Sequence, residues 1–512
     1  MNTVLLPLLI AIPLGAAFLI PLIARKVRVL ADIFGNLATL AILVIAVLLF
    51  RVRGVYGIGG WAPPLGISWV LDGLSNLMVV IIGLVSFAAT VFSTQYMEQY
   101  TAKYKYYALF LLMVAGMNGV ALTGDMFNLF VFLEVASVSS YALVAFGGRH
   151  EELEAAFKYL VLASVGSTLI LFGIAFLYGA TGYLNMAAIA EAVSGAMRSG
   201  QPSLLLVLAA VFFVVGFGVK AALVPFHPWL PDAHPSAPAP ISAMLSGVLI
   251  KALGIYALAR VFFNVLGMTP LLGWILIVVG ALSMVVGVFL AVGQWDFKRL
   301  LAYHSISQMG YVILGIGLGG YVLAIGGNRQ AAVLAILGGV FHLANHSVFK
   351  SLLFLCSGSI EYRTGTRQLK EMGGLREKMP LTRATCTVAS LSIAGVPPFN
   401  GFWSKLIIVI AAFQAGFPWL AAITILVSFV TLLSFIKVLR YAFLGKLPDA
   451  LKQVRESPAL MALSLVILAV FCTGMGLLLV PGLRQIILDP AVGALAQGVE
   501  YARGALASLP LK

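Results

Sequence analysis

Charged side chains are scarce in this sequence: they make up 10% of its 512 residues, and only 18 of them are Asp or Glu. An ordinary soluble chain carries about 25% charged residues, so a string of water-exposed domains is excluded. Cysteine is nearly absent as well. Cys356, Cys386 and Cys472 lie far apart in apolar runs without CxxC spacing, which speaks against iron–sulfur or zinc ligation and leaves them as small core residues. No long polar stretch separates the apolar runs, so no soluble domain is expected between them.

What is abundant is hydrophobicity, at 61% of residues and a mean hydropathy of +1.05, which places the chain in the bilayer. Runs long enough to cross, about 20 residues at 1.5 Å each, recur throughout, and about fourteen can be marked. They fall at 3–24, 29–50, 68–94, 106–123, 126–147, 156–180, 203–224, 240–263, 270–293, 300–322, 331–357, 384–415 with a break, 417–443 and 459–480. The expected fold is an all-α integral membrane protein. The first run lacks a basic leader and is followed by Arg25, Lys26 and Arg28, which predicts a retained membrane helix in place of a cleaved signal peptide.

Basic residues cluster after odd-numbered runs, whereas only Arg51, Arg53, Arg198, Arg260 and Arg329 follow even-numbered ones. The positive-inside rule then puts the odd loops in the cytoplasm and both termini outside the cell membrane. That bias, with attraction to anionic lipid, accounts for a net charge of +14 without nucleic acid.

A few polar positions stand out against the apolar background. Asp72-Gly73-Leu74-Ser75 opens the third run, and Asp72 reads as a helix cap. Glu134, in MFNLFVFLEVASVSSYALVAF, is the one carboxylate well inside a run. A lone intramembrane charge costs about 2.5 to 3.5 kcal/mol, so such residues face a partner or water and usually work. Lys220 ends the seventh run beside a proline cluster that contains His227 and Asp232, and Lys251 is embedded in SAMLSGVLIKALGIYAL. His342, His346 and Lys350 are spaced by four and share one helix face. Lacking carboxylate or thiolate company, the histidines read as protonatable groups and not as a metal site. Lys158 and Lys437 can snorkel from helix ends; Lys251 and Lys405 cannot.

Two echoes suggest an internal duplication. Phe157-Lys158 with Gly166-Ser167 matches Phe349-Lys350 with Gly358-Ser359 at one constant offset, and VPFHPW at 224–229 resembles VPPFNGFW at 396–403. Proline removes a helix donor and clashes with the preceding turn, so both of the latter predict broken helices, the best sequence pointer to a transporter's ion site. Desolvation and ion pairing act oppositely on a buried Lys–Glu pair, so separating the partners changes the proton affinity of both. That is the physics of a conformationally gated proton relay.

The segments DGLS at 72–75, DMFNLFVFLE followed by SVSSY, KAALVPFHPWLPDAH, DFKRLLAYHSISQMGY at 296–311, HSVFKSLLFL at 346–355 and GVPPFNGFWSK at 395–405 together resemble the antiporter-like subunits shared by respiratory complex I, membrane-bound hydrogenases and Mrp-type multisubunit Na+/H+ antiporters. The resemblance spans roughly residues 65 to 480. It implies fourteen transmembrane helices with two inverted five-helix repeats, helices four to eight and nine to thirteen, each with a broken helix. The corresponding segments are 1–100, 101–265, 266–445 and 446–512.

Carried over by motif position, Glu134 resembles the family's helix-five glutamate and Lys220 its paired helix-seven lysine. Lys251 matches the central helix-eight residue, His346 the helix-eleven histidine, and Lys405 the terminal helix-twelve residue, where members carry lysine or glutamate. Lys350 joins this relay, and His227, Asp232, His342 and Lys158 support it. The implied function is proton translocation within a redox-driven complex, with any oxidoreductase chemistry in partner subunits and no cofactor or metal here. A Mrp-type Na+/H+ antiporter subunit is the alternative, and a structural anchor that lost transport is a third reading. Expected partners are other membrane subunits, a neighbouring antiporter-like subunit among them, membrane lipid, and H+ or Na+. The 32 residues after position 480 are too few for the long amphipathic arm of some members, so an armless type is expected.

Overall fold

The computed structural model describes residues 2–25, 27–61, 64, 66–198 and 203–501. Lys26 and residues 502–512, which enter the topology and the last segment above, lie outside them. Helices α1 (Leu8–Ile23) and α2 (Arg28–Leu48) lead into a hairpin, β1 (Gly54–Gly57) and β2 (Ser68–Leu71), paired antiparallel with Gly54 opposite Leu71. Then come α3 (Gly73–Tyr96), α4 (Lys103–Leu122), α5 (Met126–Val144), α6 (His150–Thr181), α7 (Met186–Arg198) and α8 (Leu204–Lys220).

A first break holds the short α9 (Leu230–Ser236). The next span, Ala239–Val265, is α-helical at α10 (Ala239–Met244) and α11 (Ala257–Arg260) but wound as π-helix over Leu245–Tyr256 and Val261–Val265. There follow α12 (Pro270–Val292), α13 (Phe297–Ala324) and α14 (Arg329–Thr364). A second break divides α15 (Pro380–Ala394) from α16 (Asn400–Gln414), and α17 (Pro418–Phe443), α18 (Ala459–Gly474), α19 (Pro481–Ile487) and α20 (Asp489–Ala496) close the chain.

Helix occupies every apolar run marked in the sequence, and the chain is an all-α integral membrane protein. Among the described residues, eleven helices are long and apolar enough to cross a membrane; α1 and α8 are shorter apolar helices, and the split run is shared by α15 and α16. Starts follow capping chemistry: Asp72 Oδ1 accepts from the Leu74 and Ser75 amides at 3.0 and 2.9 Å, and Ser75 Oγ accepts from the Asp72 amide at 2.8 Å. The hairpin and α7 were not foreseen, because strands of four residues and a helix of thirteen are too short to register as membrane-length runs.

The bundle is layered by burial. The hydrophobic windows of Ala239–Val265 and Arg329–Thr364 are 100% and 89% buried, against 33% for Arg28–Leu48 and 22% for Ala459–Leu479. The interior helices therefore carry their polar residues into protein, while the outer ones show apolar faces to lipid.

Loops that follow odd-numbered runs meet at one end. Asp232 pairs there with Lys158 and Arg299, and Asp296 with Arg367. The opposite end gathers the hairpin, Thr123 bridged to Trp69, and Asp125 bridged to Asn185, which follow even-numbered runs. Arg260, counted above with the loops, is instead buried at the end of its span in a bidentate pair with Asp72.

Candidate functional site: a basic axis between two broken helices

At the first break, Lys220 is the last residue of α8, because Pro225 and Pro228 cannot continue the helix. Its ammonium lies 3.6 Å from Glu134 Oε1 on α5 and donates to Ser137 Oγ at 2.9 Å. Ser167 of α6 donates to the same Glu134 oxygen. The lysine side chain is 3% exposed and the glutamate 31%. Phe127, Val131 and Val138, which share the face of Glu134 at helical spacing, are exposed, so this carboxylate opens onto the outer surface of the chain.

Freed backbone in the break is taken up locally. The Val224 amide donates to Ser283 Oγ at 2.9 Å, and Trp229 Nε1 donates to the Val219 carbonyl at 3.0 Å while its ring stacks on Tyr159 at 4.1 Å. His227 sits partly buried in this segment. Asp232 and Lys158 do not join the buried residues. They pair with each other at 3.2 Å in the wall of a polar basin of about 740 Å³ that also includes Arg299 and Arg367. The sequence echo between Lys158 and Lys350 thus joins a surface residue to a fully buried one. Two positions within helices have the same letters but different depth.

In the centre, Lys251 lies in the π-helical stretch, fully buried, and donates to the Ser246 carbonyl. A π-helix brings residues five apart into register, the spacing that separates Ser246 from Lys251. The adjacent α14 is anchored just ahead of this stretch, on α10, by Ser351 Oγ, which donates to the Ala243 carbonyl at 3.1 Å. On α14, His342 is bonded to Ser404 Oγ at 2.9 Å and Gln308 Oε1 at 3.1 Å. His346 and Lys350 have no hydrogen-bond partner among the described residues; the Lys350 ammonium lies 5.7 Å over the Phe354 ring.

At the second break, Lys405 of α16 reaches back across the gap and donates to the Ile393 carbonyl at the end of α15, at 2.7 Å. Its ammonium is 4.6 Å from the Tyr311 ring, which lies 5.3 Å from His342. His342, Ser404, Tyr311 and Lys405 therefore form one contact group. The Glu134–Lys220 pair is brought to the centre by packing: a Cβ on Gly254, within a turn of Lys251, would lie 2.5 Å from Ala221 Cα.

Sequence reasoning missed Ser137, Ser167, Gln308 and Tyr311, whose residue types are common in membrane helices. It also passed over two buried histidines. His304 bonds Ser434 Oγ at 2.8 Å, and His234 stacks at 4.6 Å on Phe354, the ring beneath Lys350. Their signal was available: each is an imidazole in an otherwise apolar or proline-rich segment.

Residues 123–434 match the family described as NADH:quinone oxidoreductase/Mrp antiporter, transmembrane, and residues 62–107 match the amino terminus of complex I chain 5. The chain belongs to this antiporter family. It is 37% identical over 460 residues to an NADH-quinone oxidoreductase subunit of Desulforudis audaxviator, covering 87% of each chain. It is 36% identical over 451 residues to an Na(+)/H(+) antiporter subunit of Alkalihalophilus pseudofirmus, again 87% of each. Among solved structures, a chain of the archaeal membrane-bound sulfane sulfur reductase superposes with a TM-score of 0.85 at 32% identity, covering 99% of both. The protein is thus an antiporter-like membrane subunit of the complex I, hydrogenase and Mrp group.

Proposed function

We propose that this antiporter-family subunit moves protons across the cell membrane within a larger membrane complex, along an axis from Glu134 and Lys220 through Lys251, Lys350, His346 and His342 to Lys405. The observation that carries it is the Glu134–Lys220 pair at 3.6 Å, joined to a buried axis whose other titratable groups are all basic. An ion pair of this kind is a switch: opening it leaves two uncompensated charges that each need a new partner. The two serines bonded to the pair supply replacement partners during opening.

The central groups are ammonium and imidazole nitrogens, which carry protons. A hard metal cation asks for several oxygen ligands, so the axis suits H+. The positive-inside bias supports odd loops in the cytoplasm and both termini outside. The polar basin walled by Lys158, Asp232, Arg299 and Arg367 would then be the cytoplasmic vestibule. Two repeats, 101–265 and 266–445, would each contribute one broken helix.

Redox-driven pumping in a complex with other membrane subunits is the leading setting, and the near-equal identity to an Na(+)/H(+) antiporter subunit supports an antiporter without redox partners as the second. Isolation of the native complex distinguishes them: iron–sulfur and catalytic redox subunits are expected for the first, and small membrane subunits alone for the second. The relay itself is tested by replacing Lys220 or Glu134 with alanine in the assembled complex. Loss of coupled ion transport is expected, and wild-type pumping would refute it.

A further inference from the structure

The middle of the basic axis, at Lys251 and His346, is closed on one side by an apolar plug. Along the central span, Ile255 follows Lys251 by about one turn, with Tyr256 and Ala259 next and Arg260 beyond. On α14, Leu343 lies one turn before His346, and Val340 one turn before that; both line the same gap. Where these two helices meet α3 and α20, Ile255, Leu343, Leu74, Met78 and Leu495 enclose a gap of about 10 Å³. A buried water needs two to four polar partners, and none faces this gap: the Tyr256 hydroxyl is engaged by the Ala121 carbonyl at 2.5 Å and by Arg260 at 3.2 Å. The gap is dry.

Immediately beyond lies a buried ion pair. Arg260 makes a bidentate pair with Asp72 at 2.7 and 2.9 Å and bonds Asn264 Oδ1 at 3.1 Å. Burial pushes the Asp72 carboxyl up, but Arg260 beside it holds it below its ordinary value. Asn264 in turn donates to the Ala494 and Gly498 carbonyls at 2.8 and 2.9 Å, and the Tyr501 ring lies 5.1 Å from the guanidinium. The segment 489–501 is therefore tied down by the same cluster. Its close approach to the start of α3 depends on Gly73, where a Cβ would meet the Pro490 carbonyl oxygen at 2.2 Å.

We propose that α20 is a stopper. Pinned through Asn264 and Arg260, it seats Leu495 in an apolar plug that seals the central Lys251–His346 region from the end of the bundle opposite the polar basin, and its release opens a proton path there. The idea rests on the proton-relay reading above. A central site open to both faces at once would dissipate the gradient, so the seal has a function a mere packing contact lacks. The plug excludes a water chain by dewetting.

The test uses the native complex in proteoliposomes with an internal pH-sensitive dye and an imposed pH gradient, without an energy source. Leu495→Asn wets the plug from within, and Asn264→Ala frees the segment from outside it. Both are expected to collapse the gradient several-fold faster than wild type, and adding Lys251→Ala to either is expected to restore slow decay. Wild-type decay in both variants, in complexes carrying normal amounts of the subunit, overturns the stopper. A leak that persists with Lys251→Ala also overturns it, by making the leak independent of the axis. Failure of the relay reading shows separately, as undiminished coupled pumping in Lys251→Ala alone.

Discussion

The two broken helices carry their lysines on opposite sides of the gap and solve the charge differently. Lys220 precedes its break and is held by a carboxylate and a hydroxyl. Lys405 follows its break and is held by a freed backbone carbonyl and an aromatic face. The first arrangement contains a counter-ion that is 31% exposed at the outer surface, within reach of whatever packs there. The second is sealed and has no counter-ion among the described residues. The same backbone device thus yields one site open to the outer surface and one closed off from it.

The largest expected effect comes from removing that difference. Glu134→Gln keeps shape and hydrogen bonding but removes the counter-ion, and coupled transport by the assembled complex should fall to background. Lys405→Glu should retain more transport than Lys405→Ala, because the resemblance admits either lysine or glutamate there; equal loss in both, measured as proton uptake in vesicles, would mean that the second site needs an ammonium.

Next in size are packing tests at the breaks. A Cβ on Gly401 would stand 1.8 Å from the Ser392 carbonyl oxygen, and one on Gly254 would stand 2.5 Å from Ala221 Cα. Overpacking of this kind costs about 1 to 3 kcal/mol. Gly401→Ala and Gly254→Ala should each lower the thermal stability of the purified subunit in detergent, the former more. A reversed order would mean that the first break is the stiffer one.

The smallest effect is expected at the basin. Lys158→Gln removes exposed ion pairs with Glu154 and Asp232, which are screened by salt. Transport should slow only at low ionic strength. A loss as large as that of Glu134→Gln, independent of salt, would place Lys158 on the axis after all.

The helical spans were legible because the bilayer admits so few solutions. A run of apolar residues of membrane length must be helical when its own backbone is its only source of hydrogen bonds. The breaks were legible for the same reason, since VPFHPW and VPPFNGFW cannot be wound through. Glu134, Lys220, Lys251, His346, Lys350 and Lys405 announced themselves as charged or titratable groups where such groups are costly. The hairpin, α7 and the roles of Ser137, Ser167, Gln308 and Tyr311 were not, because short elements and common polar residues leave no such mark.

The order of residues alone therefore dictates a bundle of membrane helices, the places where two of them are interrupted, and the polar groups that must be accommodated inside. Which of those groups meet is settled by packing. Lys158 and Lys350 occupy matching letters, yet one lies at the rim of an aqueous basin and the other in the sealed interior. Arg260 read as one more loop charge until Asp72, far away in the chain, closed on it. Composition sets the cost of burying a charge, but contacts between helices distant in sequence select the partner that meets that cost, and those contacts exist only once the bundle has packed.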